Sequence, residues 1–230
     1  LQEVKALIRP GVTTAELDRV AEEVIRDHGG LPTFKGYPGP YPYPATITVC
    51  INEEMVHGIP SGRKLREGDI VSVDCGTTLD GFVGDSAFTS PVGEISEEAC
   101  TLLKITEEAL YLGIEQMRPG KRVGDVSSAI QNHVEKHGFH VPRQYTGHGV
   151  GREMHEPPQV PNFGTAGKGF VLQEGMTIAL EPMVLVGTHR TRILADKWTV
   201  ISEDKSLTAH YEHTVAVMNG EPLLLTLRES

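Results

Sequence analysis

Leu65-Arg66-Glu67-Gly68-Asp69-Ile70-Val71-Ser72-Val73-Asp74 is answered, a little over a hundred residues further on, by Leu172-Gln173-Glu174-Gly175-Met176-Thr177-Ile178-Ala179-Leu180-Glu181. Each stretch is a Leu-x-Glu-Gly turn that runs into a β-rich strand and stops on a carboxylate. The echo extends upstream. Arg9-Pro10-Gly11 opens a helix closing at His28-Gly29, and Arg118-Pro119-Gly120 opens one closing at His137-Gly138, at identical spacing. His57 follows Met55-Val56 in the first stretch, and His155 follows Glu153-Met154 in the second. A period this long excludes a stacked solenoid. It predicts one domain, 1–230, made of pseudo-repeats at about 1–115 and 116–230 that face each other and share a site.

A chain of 230 residues can bury a substantial core. The formal charge of −10 argues against nucleic acid and anionic lipid, because both are bound through Lys/Arg surfaces. An acidic site suits divalent cations or a substrate amine instead. No apolar run approaches membrane-spanning length. Cys50, Cys75 and Cys100 are odd in number and lack zinc-site spacing, which with no signal-like segment reads as reduced thiols in a cytoplasm. A chain that opens on Leu1 inside a helix-like stretch is expected to have further sequence upstream.

Thr13-x-x-Glu16 is a capping box, followed by Leu17, Val20, Ala21, Val24 and Ile25 on one helical face. Gly36 to Pro44 alternates Pro with Gly and Tyr and predicts a stiff, extended loop. Strands are expected at 46–51, 176–182, 198–202 and 212–218. A hairpin is expected from 70–77 and 82–88 around Leu79-Asp80-Gly81. Ser96 should start a helix running to about Met117, and Val123, Val126, Ile130 and Val134 stripe the next one. Helices in each half with strands closing each half predict an α+β fold around a curved, mostly antiparallel sheet.

Asp74 and Asp85 lie on the two arms of the hairpin. If its turn is Asp80-Gly81, residue 74 faces 87 and Asp85 is a diagonal neighbour; one residue earlier, the aspartates oppose directly. Their carboxylates converge in both registers, and burying two such charges without a cation would cost several kcal/mol, on the order expected for an unpaired ion. The duller alternative is an exposed polar hairpin face. His148 and His155 fall in the Gly-rich segment Gly147-His148-Gly149-Val150-Gly151, continuing to His155-Glu156-Pro157-Pro158. The prolines forbid the helical His-Glu-x-x-His of zinc proteases. Glu181 and Glu212 each stand in or beside an apolar strand. Gly164 to Gly169 fails the phosphate-loop template and reads as a surface turn. Cys75, next to Asp74, should face the other way and pack in the core.

His57-Gly58-Ile59-Pro60, Asp74 with Asp85, the two His motifs, Glu181-Pro182-Met183 and Tyr211-Glu212-His213-Thr214 occur in this order over essentially the whole chain. The set resembles the type I methionine aminopeptidases of the pita-bread metallopeptidase family. That resemblance implies the pita-bread fold, with two pseudo-symmetric halves, and a cytoplasmic, monomeric enzyme that removes the N-terminal methionine of nascent proteins. It implies two divalent metals, Co, Mn, Fe or Zn, held by Asp74, Asp85, His148, Glu181 and Glu212, with Asp85 and Glu212 bridging. A hydroxide shared by the metals would attack the scissile carbonyl. Glu181 would shuttle protons, His155 would meet the carbonyl oxygen and His57 the amide nitrogen. Tyr43, Met154 and Trp198 would line the methionine pocket. The substrate is a peptide or nascent-protein N-terminus, ribosome association is left open, and neither nucleic acid nor membrane is a partner. Xaa-Pro peptidases share the metal motifs but usually carry an added N-terminal domain. Type II relatives carry an insertion where only 26 positions here separate His155 from Glu181. A metal-free binding module would be expected to have lost ligands.

Overall fold

The structure, a computed structural model, describes residues 1–227; the last three residues of the expected second repeat lie outside it. Thr13 accepts the Glu16 amide and Glu16 Oε2 accepts the Thr13 N–H at 2.7 Å, starting the helix Thr14–Asp27. Asp125 Oδ2 accepts the Arg122 N–H at 2.8 Å and starts Val123–Lys136 in the same manner. Both helices end on a His cap, His28 and His137, whose Nδ1 lies 2.8 Å from the carbonyl four residues back. The long helix Glu97–Glu115 is capped by Ser96.

The repeat also shows in the backbone. Gly11 N–H donates to the Leu65 carbonyl at 2.8 Å, and Gly120 N–H to the Leu172 carbonyl at 3.0 Å. Gly68 N–H donates to Val92 O at 3.0 Å, and Gly175 N–H to Val217 O at 2.8 Å; Val92 N–H returns to Asp69 O, and Val217 N–H to Met176 O. The same turn sequence has therefore built the same turn twice.

The main sheet has nine strands among the described residues. Its path runs Leu31–Pro32, Ile70–Leu79, Phe82–Pro91, Glu212–Ala216, Thr177–Leu180, Thr146–Gly149 and Glu156–Pro161. Thr48–Ile51 joins beside Ile70–Leu79, and Leu223–Leu224 beside Glu212–Ala216; every pairing is antiparallel. Leu79 pairs with Phe82 across Asp80-Gly81, both of which have positive φ, as a tight type I′ turn requires. The turn is therefore Asp80-Gly81, and the directly opposed register does not occur: Asp74 pairs with Ala87 and Gly76 with Asp85.

Leu17 and Ala21, Leu102 and Leu110, and Val126, Ile130 and Val134 from the three long helices share one core with Val71, Val73, Phe88, Ile178 and Leu180 of the sheet. Each such buried side chain contributes roughly 1.5–3 kcal/mol of transfer free energy. Because strand side chains alternate, filling the helix side with Val71 and Val73 turns Ser72 and Asp74 to the other face.

The seam where the first 91 residues of the sheet meet the rest is short. Only Glu212 with Ala87 and His213 with Ser86 pair there as a ladder. Hydroxyls extend it: Ser86 Oγ donates to Glu212 O at 2.9 Å, Thr89 Oγ1 to His210 O at 2.8 Å and Tyr211 Oη to Thr89 O at 2.8 Å. Thr214 Oγ1 accepts the Asp85 N–H at 2.9 Å and donates to the Asp85 carbonyl at 2.8 Å.

Residues 36–44 do not form an extended loop. Gly36 N–H donates to Tyr43 O at 2.8 Å and Tyr43 N–H to Tyr37 O at 2.9 Å, so the segment closes on itself. A Cβ on Gly39 would lie 2.4 Å from the Trp198 ring, so glycine permits the loop to press on that indole. Gly164 to Gly169 is exposed, as expected, but docked: Gly124 N–H donates to Lys168 O and Gly167 N–H to Asp125 Oδ1. Among the described residues no helix is long and apolar enough to cross a membrane.

Candidate metal centre

One cavity of about 160 Å³ on the sheet face away from the helices is lined by Asp74, Asp85, His148, Glu181 and Glu212, together with His57 and His155. Asp74 and Asp85 come from the hairpin arms, His148 from Thr146–Gly149, Glu181 from the end of Thr177–Leu180, and Glu212 from the central strand. Ligand-type atoms of Asp85, His148 and Glu212 all lie within 4.8 Å of one another. His148 Nε2 is 3.5 Å from Glu181 Oε1 and 3.8 Å from Asp85 Oδ2, and its Nδ1 is 2.9 Å from the Gly149 carbonyl. That last contact holds a hydrogen on Nδ1 and leaves the Nε2 lone pair facing the carboxylates.

Asp74, Asp85 and Glu212 are buried, and Asp74 Oδ1, Asp85 Oδ1 and Glu212 Oε1 have no hydrogen-bond partner. Burial, then neighbouring carboxylates, pushes Asp74 and Glu212 well above the usual carboxylate range. Burial raises Asp85 and Glu181 to about 7. Burial lowers the imidazoles: His57 and His210 to about 4, and His148 and His155 below their ordinary value. A protein does not gain by crowding acids that repel and reach no donor. A divalent cation reverses each of these penalties, because ionised carboxylates are what it binds. Oxygen donors with one imidazole fit a hard or borderline ion and not a thiolate-type structural zinc. The donor set fits divalent metal.

The remaining expected residues lie around this cluster. Met154, Tyr43 and Trp198 line the same cavity, and Trp198 meets Tyr43 edge-on at 5.1 Å between ring centroids. The Tyr43 hydroxyl is turned away, donating to Gly58 O at 2.8 Å, so its ring and not its polar tip faces the cavity wall. His57 has φ 60°, a left-handed conformation costing a non-glycine residue about 1 kcal/mol or more, and its ring lies 6.3 Å from Trp198. The His155 ring sits 4.2 Å from His148. Cys75 is absent from the cavity and packs against the core.

One lining residue, Phe34, went unread in the sequence; Thr48 and the Pro-rich stretch that begins at Tyr37 are expected from the resemblance to lie near the substrate pocket, without a role for either side chain. Tyr37 Oη makes a 2.6 Å hydrogen bond with His155 Nδ1. Thr48 is placed there by strand pairing, since it faces Asp74 across the ladder. Phe34 and Tyr37 carry no local signal, because only the closed loop brings them in. His210, with Nε2 buried and 3.6 Å from Glu181 Oε2, was passed over as part of a strand.

A chain 52% identical over 96% of this one, and 88% of its own length, is the methionine aminopeptidase of Clostridium acetobutylicum. The crystal structure of methionine aminopeptidase from Thermotoga maritima superposes with a TM-score of 0.96 at 45% identity, covering 99% of this chain and 91% of that one. The prolidase of Pyrococcus horikoshii, at 23% identity and a TM-score of 0.79 over 99% of this chain and 58% of its own, shares the fold alone. That common architecture is the pita-bread fold. The family model described as metallopeptidase family M24 matches residues 1–219. With buried carboxylates that each leave an oxygen unpaired beside the His148 imidazole, the chain belongs to metallopeptidase family M24.

Proposed function

We propose that this chain is a methionine aminopeptidase that removes the N-terminal methionine from peptides and nascent proteins, with two divalent ions held by Asp74, Asp85, His148, Glu181 and Glu212. The observation that carries it is the joining, in one cavity, of buried acids that reach no donor with an apolar wall of Tyr43, Met154 and Trp198. The curated relative and the solved structure just described point to the same activity. Asp85 and Glu212 come from adjacent strands and, with Asp74, His148 and Glu181 around the same cavity, would hold the ions. The bound cations would supply Lewis acidity, polarising the scissile carbonyl and acidifying a water to serve as nucleophile near neutral pH.

This chain's own residues do the rest. Glu181 stands beside His148, placed to take the proton released from the water and pass it to the departing amine. His155 is oriented by Tyr37, and from there it meets the carbonyl oxygen as negative charge develops. His57, fixed by its backbone beside Trp198, meets the amide nitrogen next to the side-chain pocket. The pocket accepts a long, unbranched, polarisable side chain and disfavours a charged one, because Tyr43, Met154 and Trp198 offer it an apolar wall with no side chain of opposite charge. The enzyme works as a cytoplasmic monomer, and ribosome association would follow from a nascent-chain substrate. We further propose that the halves about 1–115 and 116–230 descend from one duplicated unit.

Hydrolysis of a Met-Ala-Ser peptide, with Mn, Fe, Co or Zn added to stripped protein, tests the activity. Release of methionine only with metal is expected. Equal rates on Met-, Lys- and Glu-initiated peptides would overturn the pocket. Preference for Pro in second position whatever the first residue would move the substrate to Xaa-Pro peptides.

A further inference from the structure

We infer that His210 is a positioning residue for Glu181: its Nε2–H donates to Glu181 Oε2 and fixes the orientation in which that carboxylate exchanges protons. The inference rests on the aminopeptidase reading only for what Glu181 does.

His210 ends the strand Thr208–His210, where it pairs with Met183, and is 2% exposed. Its backbone is clamped by a single hydroxyl: Thr89 Oγ1 accepts the His210 N–H at 2.9 Å and donates to the His210 carbonyl at 2.8 Å. The ring is therefore anchored by both strands it lies between. Its Nε2 is buried with no hydrogen-bond partner, and Glu181 Oε2 lies 3.6 Å away. A buried polar atom left unpaired forfeits the hydration it lost on burial, so closing this gap by a small rotation is favoured. A charge-assisted bond at about 2.8 Å would result. The other Glu181 oxygen, Oε1, already lies 3.5 Å from His148 Nε2. Glu181 thus stands between two imidazoles, one for each oxygen. His148 is the proposed ligand, which leaves His210 to hold the oxygen on the far side.

The repeat supports this independently. Asp74 and Glu181 each lie six positions after the turn glycines Gly68 and Gly175. Asp85 and His210 each lie seven positions before Val92 and Val217, whose N–H groups close those turns. His210 therefore occupies, in the second half, the place from which the first half sends Asp85 into the centre. An imidazole at that place faces Glu181 as Asp85 faces Asp74.

His210→Gln keeps an N–H donor of similar reach, and His210→Leu removes it. In Co(II)-loaded enzyme, the Leu variant should lose 10–100-fold in kcat, as supporting hydrogen bonds at metal sites typically do, with KM nearly unchanged. It should bind as many Co(II) ions as the parent by calorimetric titration, with a shifted Co(II) absorption band. The Gln variant should restore kcat to within about threefold and restore the band, since the donor is regained. Parental kcat and band in the Leu variant would overturn the assignment, and loss of an ion in both variants would make His210 a ligand. Should the Leu variant fail to fold, the ring nitrogens of the Zn(II)-loaded parent decide. A protonated Nε2 whose ¹⁵N shift moves in Glu181→Gln is expected; a bare Nε2 would refute it. The titration and the ¹⁵N shifts need no methionine substrate, so they stand or fall apart from the peptidase reading.

Discussion

Stripped of divalent ions, the protein should lose stability as the pH rises from about 6.5 to 8.5. Burial holds Asp85 and Glu181 at about 7 and Asp74 and Glu212 well above the carboxylate range. Acids raised in this way keep protons in the folded state that the unfolded chain has released above about pH 4.5. Their contribution is full below the ordinary values and is lost as the pH climbs through the folded ones. The imidazoles act oppositely. His57 and His210, near 4 when folded, cost stability as the pH falls below about 6.5 and drop out above it. Above 6.5 the carboxylates therefore dominate, joined toward pH 8.5 by the thiols of Cys50 and Cys75, which burial pushes up and which act in the same direction. Each proton held in excess by the folded state tilts stability by about 1.4 kcal/mol per pH unit, so one such proton across the window costs roughly 3 kcal/mol. For a chain of this size that is a Tm lower by about 6–12 °C. Bound cations replace the protons, so the loaded enzyme should show a flat or rising Tm over the same range. Scanning calorimetry at pH 6.5, 7.5 and 8.5, in chelator and with Mn(II), measures both curves. A stripped protein whose Tm stays level or rises would show that the folded state holds no such protons, and the cation requirement argued from burial would fall.

Asp85→Asn, at the proposed metal site, should lose bound metal by elemental analysis along with most of the activity. His57→Ala and His155→Ala should keep their metal while kcat falls by about 10²–10⁴-fold; metal falling in step with rate would instead make them ligands or supports. Trp198→Ala should raise KM for Met-initiated peptides more than tenfold, on the order of 1–3 kcal/mol of lost contact, at unchanged metal content. Norleucine should replace methionine with little loss in the parent and a comparable loss in that variant, because the pocket reads length and shape.

Much of this was legible because local rules and tertiary needs agree. The Thr13–Glu16 start, the Asp80-Gly81 turn and the echoed Leu-x-Glu-Gly turns all specify themselves within a few residues. Acids within or beside apolar strands stood out because a strand buried on one face has no other use for them; the strand carrying Asp74 does not stop there, as its sequence suggested, but runs on to Leu79. The loop at 36–44 was not legible. Its prolines favour extension residue by residue, yet two backbone hydrogen bonds and the flat face of Trp198 fold it back. Phe34 and Tyr37 reach the cavity only through that closure, and neither stands in a periodic pattern. His210 was hidden for a different reason. It sits two residues from Glu212, but its ring matters through Glu181, which is adjacent only after the sheet is assembled.

The short seam has a consequence for the order of events at synthesis. Glu212–Ala216 is the central strand of the sheet, lying between Phe82–Pro91 and Thr177–Leu180, yet it is made after both. Until it emerges, each of those neighbours presents an open edge to solvent, and Glu212 is missing from the acids of the cavity. The contacts that close the sheet are also among the most distant in the chain, 121 to 129 residues apart at Thr89–His210 and Asp85–Thr214, which makes their formation slow relative to the hairpins on each side. The cavity's set of acids is thus completed only when Glu212–Ala216 has been placed between the two strands it must join.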